Sequence, residues 1–159
     1  MDYKWIELNG VELCVLINGT IYKKKGYGYE IAKHILDSNG YIGVNFRKKN
    51  YRLHRILGYA FLGLDINDSS QIIDHINMIR DDNRLENLRI VTKAQNGWNT
   101  DSCGFTICKN RNKKFMVRIV YNHKKIYIGH FYTEEEAQQA YLDAKIKYHI
   151  IPETKNLHI

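Results

Sequence analysis

Residues 72–96 read IIDHINMIRDDNRLENLRIVTKAQN, and this stretch decides the fold. An apolar run ends in Asp74 and His75, and a polar loop follows it. Thr92, with Gln95 three residues later, forms a capping-box pattern, which predicts that a helix begins there. The stretch therefore predicts a strand, a loop and a helix in that order.

Four polar residues of this stretch can meet in the folded chain, namely Asp74, His75, Asn87 and Asn96. Each has a plain structural explanation when taken alone, because asparagine and aspartate are common in turns and caps and a lone histidine is usually packed or on the surface. Together they supply a carboxylate oxygen, amide oxygens and an imidazole from neighbouring elements. The set therefore predicts a polar functional site.

Length and composition set the limits of the fold. The chain of 159 residues has room for one ordinary domain or two small ones, and 44% of its residues are hydrophobic, which is enough for a packed core. Lys and Arg number 24 against 17 Asp and Glu, a formal net charge of +7. This balance suggests a polyanionic partner.

Several classes of protein are disfavoured by the sequence. No apolar run is long enough to cross a membrane, and the first residues lack the apolar stretch of a signal peptide. The three cysteines, Cys14, Cys103 and Cys108, give no disulfide framework. We therefore expect an intracellular protein in the host cytoplasm, with no membrane partner and no zinc site.

The positive charge is concentrated in two segments. Residues 102–132 contain seven basic residues and no acidic one, and residues 41–64 contain five basic residues and again no acidic one. A single lysine is usually part of a solvated surface, but a long segment without compensating acids is not typical of one. These segments predict surfaces that contact a polyanion.

The first 62 residues predict short strands and one helix. Val11–Ile17 and Thr20–Lys24 flank Asn18-Gly19, a dipeptide typical of a tight hairpin turn. Residues 29–37 form a helix candidate that is equally compatible with irregular structure. A second hairpin is predicted for 41–46 and 51–54, turned by 47–50, and a short helix follows over 55–62.

The last third of the chain predicts a sheet covered by a helix. Residues 114–121 and 124–131 alternate between apolar and polar side chains, with a turn at 122–123. Thr133 with Glu136 forms a second capping box, and small and aromatic residues follow at helical spacing. One face of this sheet is expected to be covered by the helix, and the other to hold the basic side chains.

The central stretch resembles the HNH endonuclease motif of phage and intron homing enzymes. The resemblance rests on three motifs, in order and at matching spacing, preceded by Leu53-His54-Arg55-Ile56-Leu57: Ile73-Asp74-His75-Ile76-Asn77, Asp82-Asn83-Arg84-Leu85-Glu86-Asn87-Leu88-Arg89 and Val91-Thr92-Lys93-Ala94-Gln95-Asn96. The family fold that it implies is a ββα-metal finger.

This resemblance implies a role for each polar residue. His75 would be the general base, because the pKa of an imidazole lies near the working pH. Asp74 and Asn96 would hold one divalent cation, Mg²⁺ or Mn²⁺, since such hard ions prefer oxygen ligands. Asn87 would fix the loop and orient the imidazole. Many relatives carry histidine at the position of Asn96, and His54 is compatible with either a phosphate contact or a structural role.

The last third resembles an Apetala/ethylene-response-factor DNA-binding domain. The matching segments are Gly104-Phe105, 114–119, 125–131 and 133–137, with Ala140-Tyr141. In that family a three-stranded sheet lies in the major groove, which implies that Arg118, Lys125 and Tyr127 point at DNA. Five further residues would contact phosphates, namely Lys109, Arg111, Lys113, Lys114 and Lys124. Thr106 and Cys108 stand where arginines are usual in the family.

The expected architecture is α+β, with a ββα-metal nuclease domain followed by a small three-stranded antiparallel sheet packed on one helix. The expected domains are a β-rich extension over 1–40, the nuclease domain over 41–100 and the Apetala-like domain over 101–159. Arg52 and Arg55 are also assigned to DNA.

The expected function is that of a homing-type, metal-dependent endonuclease on double-stranded DNA, without a small-molecule cofactor and acting as a monomer or dimer. The alternatives are an inactive DNA-binding protein and a phage restriction or repair nuclease.

Overall fold

The computed structural model describes residues 2–151, which divide into two compact units, 2–96 and 97–151. Both units combine strands with short helices, so the predicted mixture of α and β structure is confirmed. Among the described residues, no helix is both long and apolar enough to cross a membrane.

The first unit begins with a four-stranded antiparallel sheet whose order follows the chain. Its strands are β1 (Tyr3–Leu8), β2 (Val11–Leu16), β3 (Ile21–Lys25) and β4 (Gly28–Ile31). The predicted hairpin between β2 and β3 is confirmed. Gly19 takes a left-handed φ of 87°, and the Thr20 amide donates to Oδ1 of Asn18 over 2.9 Å, so this turn is closed by the residues that the sequence indicates.

A three-stranded sheet follows, made of β5 (His34–Leu36), β6 (Ile42–Phe46) and β7 (Lys49–Arg52). The helix considered for 29–37 is therefore wrong, because this segment contains the end of β4 and all of β5. Its backbone groups pair with β3 and β6 instead of with one another. The turn between β6 and β7 has only two residues, Arg47 and Lys48, both in the left-handed region.

The predicted helix after the second hairpin is confirmed, although it begins two residues earlier. It consists of α1 (Leu53–Leu57) and a π-helical turn over Gly58–Leu62. Its buried face packs into one core with β2, β3 and β6, to which Leu13, Val15 and Val44 contribute. The N-terminal strands therefore share the core of this unit, while the predicted division into three domains stays a prediction.

The stretch 72–96 folds as a hairpin followed by a single helical turn. Its elements are β8 (Gln71–His75), a 3₁₀ turn over Leu85–Asn87, β9 (Leu88–Thr92) and α2 (Lys93–Asn96). The capping box is confirmed, since the Gln95 amide donates to Thr92 Oγ1 over 3.2 Å and the Thr92 amide donates to Gln95 Oε1 over 2.8 Å. These reciprocal bonds fix the direction in which α2 leaves β9.

The second unit has three antiparallel strands, β10 (Phe105–Ile107), β11 (Phe115–Tyr121) and β12 (Lys124–Phe131), and the helix α3 (Glu134–Tyr148). The helix packs on β11 and β12, and Ala137 and Ala144 are its buried residues. Thr133 caps it by accepting from the Glu136 amide over 3.2 Å. Between β11 and β12 the register shifts at Val117/Arg118, which leaves Ile128 as the extra residue of a β-bulge.

Candidate active site

The hairpin β8–β9 assembles the predicted polar residues. Asp74 and His75 end β8, where they lie opposite Arg89 and Leu88 of β9. Asp74 is 7% exposed and His75 is 5% exposed. Asn96 ends α2, a helical turn that follows β9 directly and contacts β8. One small substructure therefore carries both sequence-predicted ligands and the predicted base.

The carboxylate of Asp74 is bound by a residue that the sequence reasoning missed. Arg89 donates from Nε over 2.9 Å and from Nη2 over 2.7 Å, both to Oδ2 of Asp74. The two side chains are 19% and 8% exposed, so the pair is largely buried. Only the strand register reveals this partner, because Arg89 lies fifteen residues further along the chain.

The ring of His75 is buried among polar and aromatic groups. Its Nε2 lies 3.3 Å from Oδ1 of Asn83, and its ring centroid lies 5.0 Å from that of His54 and 6.0 Å from that of Tyr41. A hydrogen bond to one ring nitrogen can fix the orientation of an imidazole, and Asn83 is placed to make such a bond. The ring is thus not packed into the aliphatic core.

Asn87 fixes the loop that joins the two strands. Its Oδ1 accepts from the Asn77 amide over 3.0 Å, and its Nδ2 donates to Asn77 Oδ1 over 2.9 Å and to the Asp82 carbonyl over 2.8 Å. The side chain is buried, so water does not compete with these bonds. Asn87 therefore ties both ends of the loop to the base of β9.

A second carboxylate in this loop is held by arginine. Asp82 accepts from Arg84, and this hydrogen bond holds the pKa of the Asp82 carboxyl well below its ordinary value. The side-chain Nδ2 of Asn77 also donates to Oδ2 of Asp82, over 2.7 Å. Asp82 is thus part of the loop's internal network.

His54 is a buried neighbour of the site. It is 7% exposed, and burial, followed by the charges of His75, Arg52 and Arg55, lowers the pKa of its imidazole from 6.5 to about 3. Its Nδ1 has no hydrogen-bond partner among the described residues. The ring is therefore neutral at physiological pH.

The buried state of His54 predicts acid sensitivity of the fold. Below about pH 6.5 the unfolded chain protonates this imidazole, whereas the folded chain resists protonation until about pH 3. The free energy of unfolding should therefore fall as the pH is lowered, by up to about 1.4 kcal/mol per pH unit from this residue. Denaturant titrations of the wild type and His54→Gln at pH 7 and pH 5 measure the effect. Equal losses of stability in both proteins would contradict it.

The predicted ligands fit a hard cation by their chemistry. One carboxylate and one amide offer oxygen donors, which suit Mg²⁺ or Mn²⁺ better than zinc. Within residues 2–151 there is no cluster of three or more His, Cys, Asp or Glu side chains that could hold a metal ion. Water and substrate oxygens would therefore have to complete the coordination.

Arg52 and Arg55 are engaged within the first unit. Arg55 donates to the carbonyls of Gln71 over 3.1 Å and Ile66 over 3.3 Å. Arg52 pairs with Asp37, and its guanidinium lies 4.6 Å from the ring centroid of Tyr41. Their assignment to DNA stays a prediction, and the contacts of Arg55 are those of a structural residue.

The second unit presents one uncovered sheet face. Arg118 lies opposite Tyr127, and Val120 lies opposite Lys125, so these exposed side chains share a face. The bulge at Ile128 brings His130 to the same face, where its Nδ1 lies 2.6 Å from the Tyr127 hydroxyl oxygen. His130 was not predicted, because the bulge breaks strict alternation. The five residues assigned to phosphates are all exposed: Lys109, Arg111, Lys113, Lys114 and Lys124.

Residues 51–98, from the end of β7 to just beyond α2, match the family model described as HNH endonuclease. The chain thus contains a segment of the HNH endonuclease type. Among solved structures, it is similar to one described as "DNA binding and cleavage by the HNH homing endonuclease I-HmuI", at 28% sequence identity and a TM-score of 0.47. That alignment covers 60% of this chain and 56% of the other. No curated protein matches the chain significantly.

Proposed function

We propose that this protein is a metal-dependent endonuclease of the homing type that hydrolyses phosphodiester bonds of double-stranded DNA. The observation that carries the proposal is the buried polar hairpin in which Asp74, His75 and Asn87 come together inside the segment of HNH type. Each of the three is held by a partner: Asp74 by Arg89, His75 by Asn83, and Asn87 by Asn77 and Asp82. Paired buried polar groups specify one arrangement of side chains, which is what a site of the HNH type requires.

His75 would act as the general base. Hydrolysis requires a water molecule to lose a proton as it attacks phosphorus, and a neutral imidazole can accept that proton near neutral pH. Asn83 and the ring edge of His54 would keep the imidazole in one orientation.

Asp74 and Asn96 would hold one divalent cation, Mg²⁺ or Mn²⁺. When bound, such an ion supplies Lewis-acid stabilisation of charge on the scissile phosphate and the departing oxygen. A carboxylate and a neutral amide make a weak pair of protein ligands. Asn87 would support the site by holding the loop between the two strands, through the bonds to Asn77 and Asp82.

The second unit would hold the DNA through its uncovered sheet face, in the manner of an Apetala-like domain. Arg118, Lys125 and Tyr127 lie on this face and are exposed. A guanidinium or ammonium group can contact phosphates or base edges, and a tyrosine ring can pack on the DNA backbone. The helix α3 covers the opposite face of the sheet and leaves these side chains accessible.

A cleavage assay tests the enzymatic proposal. Supercoiled plasmid libraries incubated with the protein and Mg²⁺ or Mn²⁺ should be nicked or linearised, and EDTA should stop the reaction because the cation is removed. The same preparation measured by gel shift reports binding separately. Binding without cleavage under any cation would contradict the nuclease and indicate the inactive DNA-binding alternative.

Changing the sheet face should weaken DNA binding. We expect the Arg118→Ala/Lys125→Ala double variant to bind less tightly, with a slope of log K against log salt that is shallower by about two, because each phosphate contact contributes about 0.9. Fluorescence anisotropy at several salt concentrations measures the slope. Lys147→Ala, which removes an exposed charge from α3, is the control and should keep the wild-type slope. An unchanged slope in the double variant would refute the assignment of this face.

A further inference from the structure

The largely buried pair of Arg89 and Asp74 includes one of the two predicted cation ligands. Both guanidinium contacts, at 2.9 and 2.7 Å, go to the same carboxylate oxygen, Oδ2. The two residues face each other across the β8–β9 ladder, so the backbone itself holds them in register. The contact is therefore built into the hairpin and does not depend on a flexible surface arginine.

The pair sets the charge of the candidate site. Asp74 brings one negative charge, Arg89 brings one positive charge, and the neighbouring Asn87 and Asn96 are neutral. A carboxylate paired with a guanidinium attracts a divalent cation less than an unpaired carboxylate does, and the guanidinium itself repels the cation. Because both side chains are largely buried, solvent screens this repulsion less than it would at the surface.

We propose that Arg89 is the resident counter-ion of Asp74, a positioning residue that keeps the divalent-cation affinity of the free protein low. This inference rests on the proposed function. A DNA phosphate in the site adds negative charge and oxygen ligands, and it also offers the guanidinium a second acceptor. The cation then binds tightly only together with DNA, which couples assembly of the site to substrate binding.

A purely structural role makes a different prediction. If the pair only joined the two strands, loss of Arg89 would lower the stability of the hairpin and would leave cation affinity unchanged or reduced. If Arg89 is the counter-ion, removing its charge should raise cation affinity even though the fold is weakened. Cation affinity is therefore the measurement that separates the two roles.

The test uses Mn²⁺ as the probe and the full chain without DNA. Free Mn²⁺ is counted by electron paramagnetic resonance during titration of the wild type, Arg89→Gln, Arg89→Lys and Asp74→Asn. We expect Arg89→Gln to bind Mn²⁺ at least about tenfold more tightly than the wild type, because a repelling charge is gone. Arg89→Lys keeps the charge and should bind within about threefold of the wild type. Lys48→Gln, which removes an exposed charge from the β6–β7 turn, is the charge-matched control and should not differ from the wild type.

The outcomes distinguish this inference from the function on which it rests. Equal or weaker Mn²⁺ binding by Arg89→Gln, with binding lost in Asp74→Asn, would overturn the counter-ion role and leave the cation site standing. Equal binding by Asp74→Asn and the wild type, both with and without DNA, would instead contradict the proposed cation site.

If Arg89→Gln does not fold, an NMR measurement on the wild type still tests the counter-ion role of Arg89. Saturating Mg²⁺ together with a DNA duplex made resistant to hydrolysis should shift the Arg89 Nε–H resonance, and an unchanged resonance would overturn the proposal.

Discussion

Replacing His75 with alanine is expected to abolish DNA cleavage while DNA binding is retained. A general base contributes about 10²- to 10⁴-fold to a rate, so the single-turnover rate of cleavage should fall by at least about 100-fold. The second unit, which we propose holds the DNA, does not contain this residue. Binding measured by anisotropy should therefore stay within about threefold of the wild type, since each tenfold change in affinity needs about 1.4 kcal/mol.

A matched histidine variant controls for this experiment. His34 is exposed on β5, and His34→Ala should cleave at the wild-type rate. Because the ring of His75 packs against His54 and Tyr41, circular dichroism and thermal unfolding must show that His75→Ala is folded. Cleavage by folded His75→Ala at the wild-type rate would remove His75 from the mechanism.

Gly104→Ala is expected to destabilise the second unit strongly. Gly104 has a φ of 75°, and a Cβ at this position would lie 2.0 Å from Cγ of Tyr141 and 2.1 Å from its Cδ1. An alanine therefore meets both backbone strain and an overlap with a ring anchored on α3. The free energy of unfolding of this unit should fall by about 3 kcal/mol or more.

The loss can be followed through Trp98, whose ring stacks on His149 at a centroid distance of 4.5 Å within the same unit. In a Trp5→Phe background, Trp98 alone reports unfolding in denaturant. Gln138→Ala is the control, because Gln138 is exposed on α3 of the same unit, and the free energy of unfolding should change by less than about 0.5 kcal/mol. An unchanged transition in Gly104→Ala would contradict the close packing of α3 on this loop.

Local signals in the sequence were sufficient for several elements. The Asn18-Gly19 turn and the Thr92/Gln95 capping box depend on side chains two or three residues apart, and both are found as predicted. The strand that ends in Asp74 and His75 is likewise visible in its apolar run. Such features can be predicted because the groups that stabilise them are neighbours in the chain.

Features that depend on pairing between distant segments could not be predicted. Residues 29–37 have no strong hydrophobic periodicity of their own. The strand β5 is stabilised by backbone hydrogen bonds to β6, which lies further along the chain. The contact of Arg89 with Asp74 follows from strand register, and the place of His130 beside Tyr127 follows from a bulge. A single sequence does not specify register or bulges, since they are decided by the packing of the whole sheet.

The central claim is that Asp74 and Asn96 share one divalent cation beside His75. Anomalous diffraction from crystals of the protein grown with duplex DNA and Mn²⁺ tests this claim most directly. We expect a single anomalous peak in the site, within about 2.0–2.6 Å of an Asp74 carboxylate oxygen and of the Asn96 amide oxygen, the range for hard cations and oxygen ligands. A peak bound by other residues, or by only one of these two with the other turned away, would contradict the account.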